Sequence, residues 1–420
     1  MLNKSYQNHK ETIHNFLWRF LQIAGKQGIT FFIFILSAKM LSPYDFGIYN
    51  YVLAIIYILV MFGDFGISTA TSKFVAEYDI KNKEKLKSVL FNSVIIISFL
   101  TAIIGTIVIL FGRIYLGDKY IYILYLLPLI FLVPITSLYD GIYRGLKRFK
   151  FASIISLIVG VISLSFVYIL IERFGLTGAL ISQNLLYFLL FLALSLGYRD
   201  FSLKLDKELM KDIGKYSFVI GIGSIGYIFY SRIDTLFLGH YGYIVELGYL
   251  EIINKLFSML VIPLYIFSQV IAPNITRHFA RNDFRNILEK YKKYLRLSFI
   301  LAITLTSLSY VLAPSLLGIF LNKYSNSIML QMFNLMLPVL FIALFNGIIP
   351  QGFIIPTGHY KIITILFLIF GLLKVILNYI LINSIGYIGI IYSSIIVVLF
   401  SNMLILIVYY NKLKESRNES

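Results

Sequence analysis

The chain has 420 residues, of which 59% are apolar and only 14% are charged, whereas about 25% of the residues in soluble domains are charged. This composition excludes an ordinary soluble protein and predicts a membrane protein. The net charge of +17 would indicate a nucleic-acid partner in a soluble chain, but in a membrane protein it indicates basic cytoplasmic loops, and no nucleic acid is expected.

Twelve apolar runs are long enough to cross a bilayer, which takes about 20 residues of helix. In chain order they cover 17–40, 46–68, 88–111, 119–139, 151–171, 176–197, 216–239, 244–273, 294–318, 328–350, 361–383 and 386–410. The sequence therefore predicts an all-α polytopic membrane protein with about 12 transmembrane helices. No room remains for a large soluble domain.

Basic residues are distributed unevenly between these runs. With the amino terminus inside, and with basic residues at the ends of a span counted with the adjoining loop, the cytoplasmic segments hold 27 of the 37 Lys and Arg residues, the outer loops hold 5 and the spans hold 5. Because loops rich in Lys and Arg stay on the cytoplasmic side, we expect both termini in the cytoplasm and the protein in the plasma (inner) membrane.

The sequence repeats itself at an offset of 211 positions. At this offset Lys150, Gly160, Tyr168, Gly175 and Gly178 align with Lys361, Gly371, Tyr379, Gly386 and Gly389. An offset of six helices gives both copies the same orientation, with an axis along the membrane normal. We therefore expect two parallel-repeat six-helix lobes, residues 1–200 and 201–420, around a central cleft.

Basic residues inside the spans carry the clearest functional signal, because each costs about 2.5–3.5 kcal/mol to insert and so faces a partner or a wet cavity. Positive charge at several depths suits an anionic substrate such as a phosphate group. The candidate substrate-binding residues are Arg19, Lys26, Arg232, Lys255 and Lys374. For Arg19, near the cytoplasmic end of its span, snorkelling to the headgroups stays an alternative.

Acidic residues in the spans are candidates for cavity or coupling carboxylates. They are Asp64, Asp234 and Glu251. Asp64 is either a titratable cavity group or a polar cap where a helix frays. Glu251 and Lys255 stand at i and i+4, which favours an ion pair. Arg232 and Asp234, two residues apart, point to different sides of their helix, so each is expected to bridge to another helix.

Neither metal nor cofactor is predicted. The chain has no cysteine, and its five histidines lack metal-ligand spacing. It also contains no G-x-x-x-x-G-K-[ST] loop, so it cannot be an ATP-driven pump by itself. No histidine–carboxylate cluster lies in a large outer loop, and an enzyme is not expected.

Several strings resemble the signature of polysaccharide flippases of the O-antigen translocase type. In the first half they are Leu41-Ser-Pro-Tyr-Asp-Phe-Gly-Ile-Tyr49 and Gly63-Asp-Phe-Gly-Ile67. In the second half Ser231-Arg-Ile-Asp234 and Gly248-Tyr249, followed by Pro273, are similar to that family's helix 7 and 8 pattern. The chain thus resembles the multidrug/oligosaccharidyl-lipid/polysaccharide exporter superfamily.

This resemblance implies alternating access and a polyprenyl-diphosphate-linked oligosaccharide that moves from the inner to the outer leaflet. Helices 1, 2, 7 and 8 line the cleft in that family. Four of the basic residues map onto these helices: Arg19, Lys26, Arg232 and Lys255. Lys374, on helix 11, lies outside the set. The expected partners are the lipid-linked glycan, membrane lipids and glycan-assembly proteins. The energy comes either from a coupling ion, H⁺ or Na⁺, or from consumption of the product outside.

Two other functions stay open at this point. A multidrug or cation antiporter of the same superfamily should place carboxylates, not lysines, deep in the cleft. A polytopic glycan polymerase or ligase should carry a catalytic site in a large outer loop. The inside-heavy charge, the short outer loops and the six-plus-six repeat favour the flippase over both.

Overall fold

The computed structural model of the chain describes the backbone of residues 2–419 and the side chains of residues 18, 21, 22 and 24–416. Within these residues the secondary structure is helical, with no strand. The α-helices are α1 (Leu2–Met40), α2 (Pro43–Asp64), α3 (Ile67–Lys81), α4 (Lys83–Leu116), α5 (Tyr120–Leu126), α6 (Leu129–Gly145), α7 (Phe149–Leu196), α8 (Lys207–His240), α9 (Ile244–Ala280), α10 (Phe284–Phe320), α11 (Ser327–Asn346), α12 (Tyr360–Ile385) and α13 (Tyr387–Glu419). A π-helical turn, Pro350–Ile354, follows α11.

The twelve predicted runs fall largely on these helices, although the run 46–68 is divided between α2 and α3 and the run 119–139 between α5 and α6. α7 holds two of them, because the backbone of Gly175 leaves helical geometry between the runs 151–171 and 176–197. Eight helical segments within the described part of the chain are long and apolar enough by themselves to cross a membrane. The prediction of an all-helical, multi-pass membrane protein is therefore confirmed.

The chain divides into two compact units, unit 1 (Met1–Ser224) and unit 2 (Ile225–Ser420). The division falls inside α8, beyond the boundary at residue 200 that the sequence suggested. In unit 1, α1 packs on α7, and α6 packs on both α3 and α7. In unit 2, α13 packs on α11 and α12, and α10 packs on α11.

Buried apolar side chains hold α3, α4 and α6 of unit 1 together. Ala70 of α3, Val89 of α4 and Leu138 of α6 belong to one cluster and are fully buried. Because lipid tails are as apolar as these side chains, the stabilisation comes from close packing. Gly141 permits a close approach of α6 to α3, since a Cβ at this position would lie 2.4 Å from the carbonyl oxygen of Ser68.

The breaks between the paired helices of the repeat have the same backbone geometry in both units. Gly175 has φ 55° and ψ −128°, and Gly386 has φ 67° and ψ −149°. Residues with a side chain rarely adopt this combination. In each copy the glycine therefore ends one helix and lets the next begin at once.

A second pair of glycines, three residues further on, also has matching contacts. A Cβ at Gly178 would lie 1.9 Å from the carbonyl oxygen of Leu170, and one at Gly389 would lie 2.3 Å from that of Leu381. Leu170 and Leu381 are themselves separated by the repeat offset. The two units thus have equivalent backbone contacts at glycines that the sequence repeat pairs.

Candidate functional site

Unit 1 contains a cavity of about 280 Å³ that is lined chiefly by α1, α6 and α7. Glycine again brings the helices together, because a Cβ at Gly160 of α7 would lie 2.4 Å from the Ile29 side chain of α1. The polar side chains in the lining include Gln22, Lys26, Ser137, Asp140, Arg144 and Ser156. These residues form the unit 1 cavity site.

Asp140 and Arg144 stand one helical turn apart on α6. One carboxylate oxygen of Asp140 accepts a hydrogen bond from Gln22 Nε2 at 2.9 Å, which ties α1 to α6. The other oxygen lies 3.3 Å from Arg144 Nε. Within the described residues that buried Nε makes no hydrogen bond, so the pair is held by charge attraction alone.

Lys26 lies one turn beyond Gln22 on α1 and lines the same cavity. Its side chain is exposed, and it makes no ion pair with any side chain that the structure describes. Among the described side chains, the cavity therefore holds two cations, Lys26 and Arg144, against one carboxylate, Asp140. Arg19, the other basic residue predicted on this helix, has a side chain outside the described residues.

Asp64 caps the amino terminus of α3. Its Oδ1 accepts from the Ser68 backbone N–H at 2.9 Å and its Oδ2 accepts from the Ser68 hydroxyl at 2.7 Å. The backbone between them turns through positive φ at Phe65 and Gly66. Of the two roles that the sequence left open, this geometry is that of the polar cap.

Substitutions of Asp64 separate the cap from a role in titration. Asn can accept the same backbone N–H, so Asp64→Asn should keep both stability and transport. Asp64→Ala should lower the free energy of unfolding by about 1 kcal/mol. Thermal unfolding in detergent measures the stability of both variants. An Asp64→Asn protein that is as stable as wild type but does not transport would show that the negative charge itself is needed.

Lys374 and Asp234 form a buried ion pair in unit 2. Lys374 Nζ lies 2.6 Å from Asp234 Oδ2 and donates to the Tyr230 carbonyl oxygen at 3.0 Å. Asp234 also accepts from Asn378 Nδ2 at 2.9 Å and from the Ser394 hydroxyl at 2.6 Å. Only 4% of Lys374 and 7% of Asp234 are exposed. The pair joins α8, α12 and α13.

The polar contacts continue from this ion pair towards α11. The Tyr230 hydroxyl lies 3.0 Å from the Ser401 hydroxyl and accepts from Asn402 Nδ2 at 3.3 Å. Asn402 in turn accepts a hydrogen bond from Asn346 of α11. Since buried polar groups are stable only when they are paired, this network fixes how the helices of unit 2 pack.

Glu251 of α9 is held by α8 and not by Lys255. Thr235 Oγ1 donates to Glu251 Oε1 at 2.6 Å, and Arg232 Nη1 lies 3.7 Å from Oε2. The predicted i, i+4 ion pair between Glu251 and Lys255 is therefore wrong, because the carboxylate finds its partners across the helix interface. Lys255 itself is half-buried. The prediction that Arg232 and Asp234 bridge to different helices is confirmed.

Among the members of these sites that sequence reasoning missed are Asp140, Arg144 and Asn378. Asp140 follows directly after the predicted span 119–139, and Arg144 lies between that span and the next one, 151–171, whereas α6 continues to Gly145. Their i, i+4 spacing at the end of an apolar run was a usable signal. Asn378 could also have been found from its spacing, because it stands one turn after Lys374 on α12.

The family whose members are described as polysaccharide biosynthesis proteins matches residues 12–279. The chain belongs to this family. An uncharacterized membrane protein of Methanocaldococcus jannaschii is 27% identical over 248 residues, which cover 52% of this chain and 58% of that protein. The chain thus matches less than two thirds of that relative's length.

Solved transporters share the fold of this chain. The lipid II flippase MurJ in an inward closed conformation gives a TM-score of 0.73 at 14% identity, over 97% of this chain and 89% of that one. An inward-facing multidrug resistance MATE family transporter of the MOP superfamily gives 0.69 at 15% identity, over 94% and 99%. The MATE transporter VcmN of Vibrio cholerae gives 0.61 at 14% identity, over 97% and 99%. At such identities the likeness establishes the fold.

Proposed function

We propose that this protein is a flippase for a polyprenyl-diphosphate-linked oligosaccharide, of the kind used to build O-antigen. It moves the lipid-linked glycan from the inner to the outer leaflet of the plasma membrane by alternating access. Membership in the polysaccharide biosynthesis family, on a fold shared with a lipid II flippase, carries the proposal. Glycan-assembly proteins are the partners that would supply and consume this substrate.

Four basic residues of the membrane-spanning helices are the proposed ligands of the diphosphate: Arg19, Lys26, Arg232 and Lys255. Cations lining a wet site attract a multiply charged anion and fix its position. We keep Lys374 out of this set, because its ammonium is buried against Asp234.

An antiporter for cationic drugs is the less well supported function. Such a transporter would hold its cation on carboxylates deep in the membrane. Here Asp64 caps a helix, Asp234 is paired with Lys374, and Glu251 is held by α8. These contacts favour an anionic substrate. If H⁺ or Na⁺ drives transport, Glu251 is the proposed coupling carboxylate, since its partner Arg232 is 45% exposed.

Neutralising the proposed diphosphate ligands should abolish most of the transport. Lys26→Gln and Lys255→Gln should each lower the rate about tenfold or more, which corresponds to about 1.4 kcal/mol of lost attraction. Lys→Arg at either position should retain activity. Complementation of a flippase-deficient strain, with protein levels measured in parallel, tests this expectation. Lys211 is an exposed lysine in the first turns of α8, and Lys211→Gln is the control. Full activity of both Lys26→Gln and Lys255→Gln would contradict the proposal.

Both termini are proposed to lie in the cytoplasm, because 27 of the 37 basic residues fall on that side. The chain has no cysteine, so Glu415→Cys introduces a single thiol near the end of α13. A membrane-impermeant maleimide should label it only after the cells are permeabilised. Labelling in intact cells would place this terminus outside.

A further inference from the structure

We propose that the unit 1 cavity is a docking site for the diphosphate headgroup of a lipid-linked substrate, bound by Lys26 of α1 and Arg144 of α6. The inference rests on the proposed flippase function and assigns to unit 1 one of the positions that the diphosphate occupies during alternating access. Arg144 would thereby become a ligand of the diphosphate.

The cavity has an excess of hydrogen-bond donors. Arg144 Nε is buried without a hydrogen bond within the described residues, and leaving such a donor unpaired is unfavourable. Lys26 adds three N–H donors and makes no ion pair with a described side chain. Ser137 and Ser156 line the cavity too, and their hydroxyls make no hydrogen bond to a described residue. An anion with several acceptor oxygens would satisfy these donors together.

Asp140 contacts Arg144 in a way that an anion can replace. Its contact with Arg144 Nε, at 3.3 Å, has no hydrogen bond, whereas a phosphate can take two parallel N–H donors from a guanidinium. When the anion binds, Arg144 can turn to it while Asp140 retains its 2.9 Å hydrogen bond from Gln22. Exchange of the carboxylate for phosphate therefore leaves no group unpaired.

The size of the cavity limits what it can hold. Its volume of about 280 Å³ is close to the lower limit of ligand pockets, roughly 300 Å³. A phosphate or diphosphate group fits such a volume, and an oligosaccharide does not. The glycan and the polyprenyl chain must therefore remain outside the cavity while the headgroup is bound.

A single cysteine in the cavity tests this proposal. Ser137→Cys, made in the full-length chain without native cysteines, is treated in detergent with a small thiol reagent while the alkylation rate is measured. Inorganic pyrophosphate and farnesyl diphosphate should each slow alkylation at least fivefold, and phosphatidylglycerol should not. Ser384→Cys, on an exposed part of α12, is the control and should react at the same rate throughout.

Second-site variants in the Ser137→Cys chain identify the ligands. Arg144→Gln should abolish protection, and Arg144→Lys should restore part of it. The variants are compared as folded protein that elutes as a single species. Asp140→Asn should lower the diphosphate concentration needed for protection about tenfold, because it removes the competing negative charge.

The proposal is overturned if neither diphosphate protects, or if protection survives in Arg144→Gln. Equal protection by phosphatidylglycerol would assign the cavity to ordinary anionic lipid, and protection by pyrophosphate alone would assign it to a free anion. These outcomes are independent of complementation. Complementation without protection would support the flippase function and contradict the cavity site. Protection without complementation would support the cavity site and contradict the flippase function.

Discussion

Lys374→Met is expected to lower the free energy of unfolding by about 3–5 kcal/mol, because removal of one partner of a buried ion pair leaves the other charge uncompensated. Asn378 and Ser394 would still donate to Asp234, but two neutral donors do not replace an ammonium at 2.6 Å. Thermal unfolding in detergent, read by size-exclusion chromatography after heating, measures the loss.

The matching double variant distinguishes a lost ion pair from lost packing. Asp234→Asn combined with Lys374→Met removes both charges and should recover most of the stability, since neighbouring changes are strongly non-additive. Lys361→Met, an exposed lysine on the same helix α12, should change stability by less than about 0.5 kcal/mol. Equal stability of Lys374→Met and Lys361→Met would show that the pair does not hold unit 2 together.

Gly178→Ala is expected to have the next largest effect. The added Cβ would lie 1.9 Å from the carbonyl oxygen of Leu170, and this atom belongs to the backbone and cannot rotate away. We expect a loss of roughly 3 kcal/mol, at the upper end for overpacked sites. Gly389→Ala should behave alike, because its Cβ would meet the Leu381 carbonyl oxygen at 2.3 Å.

A glycine without neighbours provides the control for this prediction. A Cβ at Gly105 of α4 would meet nothing within 4 Å. Gly105→Ala should therefore stabilise the protein by up to about 1 kcal/mol, because alanine favours the helix. If Gly178→Ala unfolds at the same temperature as Gly105→Ala, the close contact at the repeat glycines does not limit stability.

Sequence alone predicts most of the fold of this chain. Apolar runs and turn glycines are local signals, so the helices and the repeat could be located before the structure was available. The offset pairs Gly175 with Gly386, and in the structure both have positive φ values and similar backbone geometry. The break inside α7 follows from the same glycine.

The partners of the charged residues are harder to predict, because each charged residue and its partner lie far apart in the chain. Lys374 has no partner near it in sequence, and Asp234 reaches it only when α8 packs against α12. Glu251 has a suitable lysine one turn away but is held by Thr235 and Arg232. Local spacing shows which groups could meet, whereas helix packing decides which of them do.

The unit 1 cavity depends on the same kind of information. Its charged lining comes from α1 and from α6, more than a hundred residues apart, and Gln22 bridges them. The sequence indicated Lys26 but gave no reason to associate it with Arg144. Only the packing of these helices places the two cations around one space.

Flipping by the purified protein in proteoliposomes tests the central claim most directly. A polyprenyl-diphosphate-linked oligosaccharide with a fluorescent label on the glycan is incorporated, and quenching by an impermeant reagent reports transfer between leaflets. The proposed function predicts that wild-type protein accelerates quenching at least tenfold over Lys26→Gln and over protein-free vesicles. Equal rates for wild-type and protein-free vesicles, with the protein folded and inserted, would contradict it.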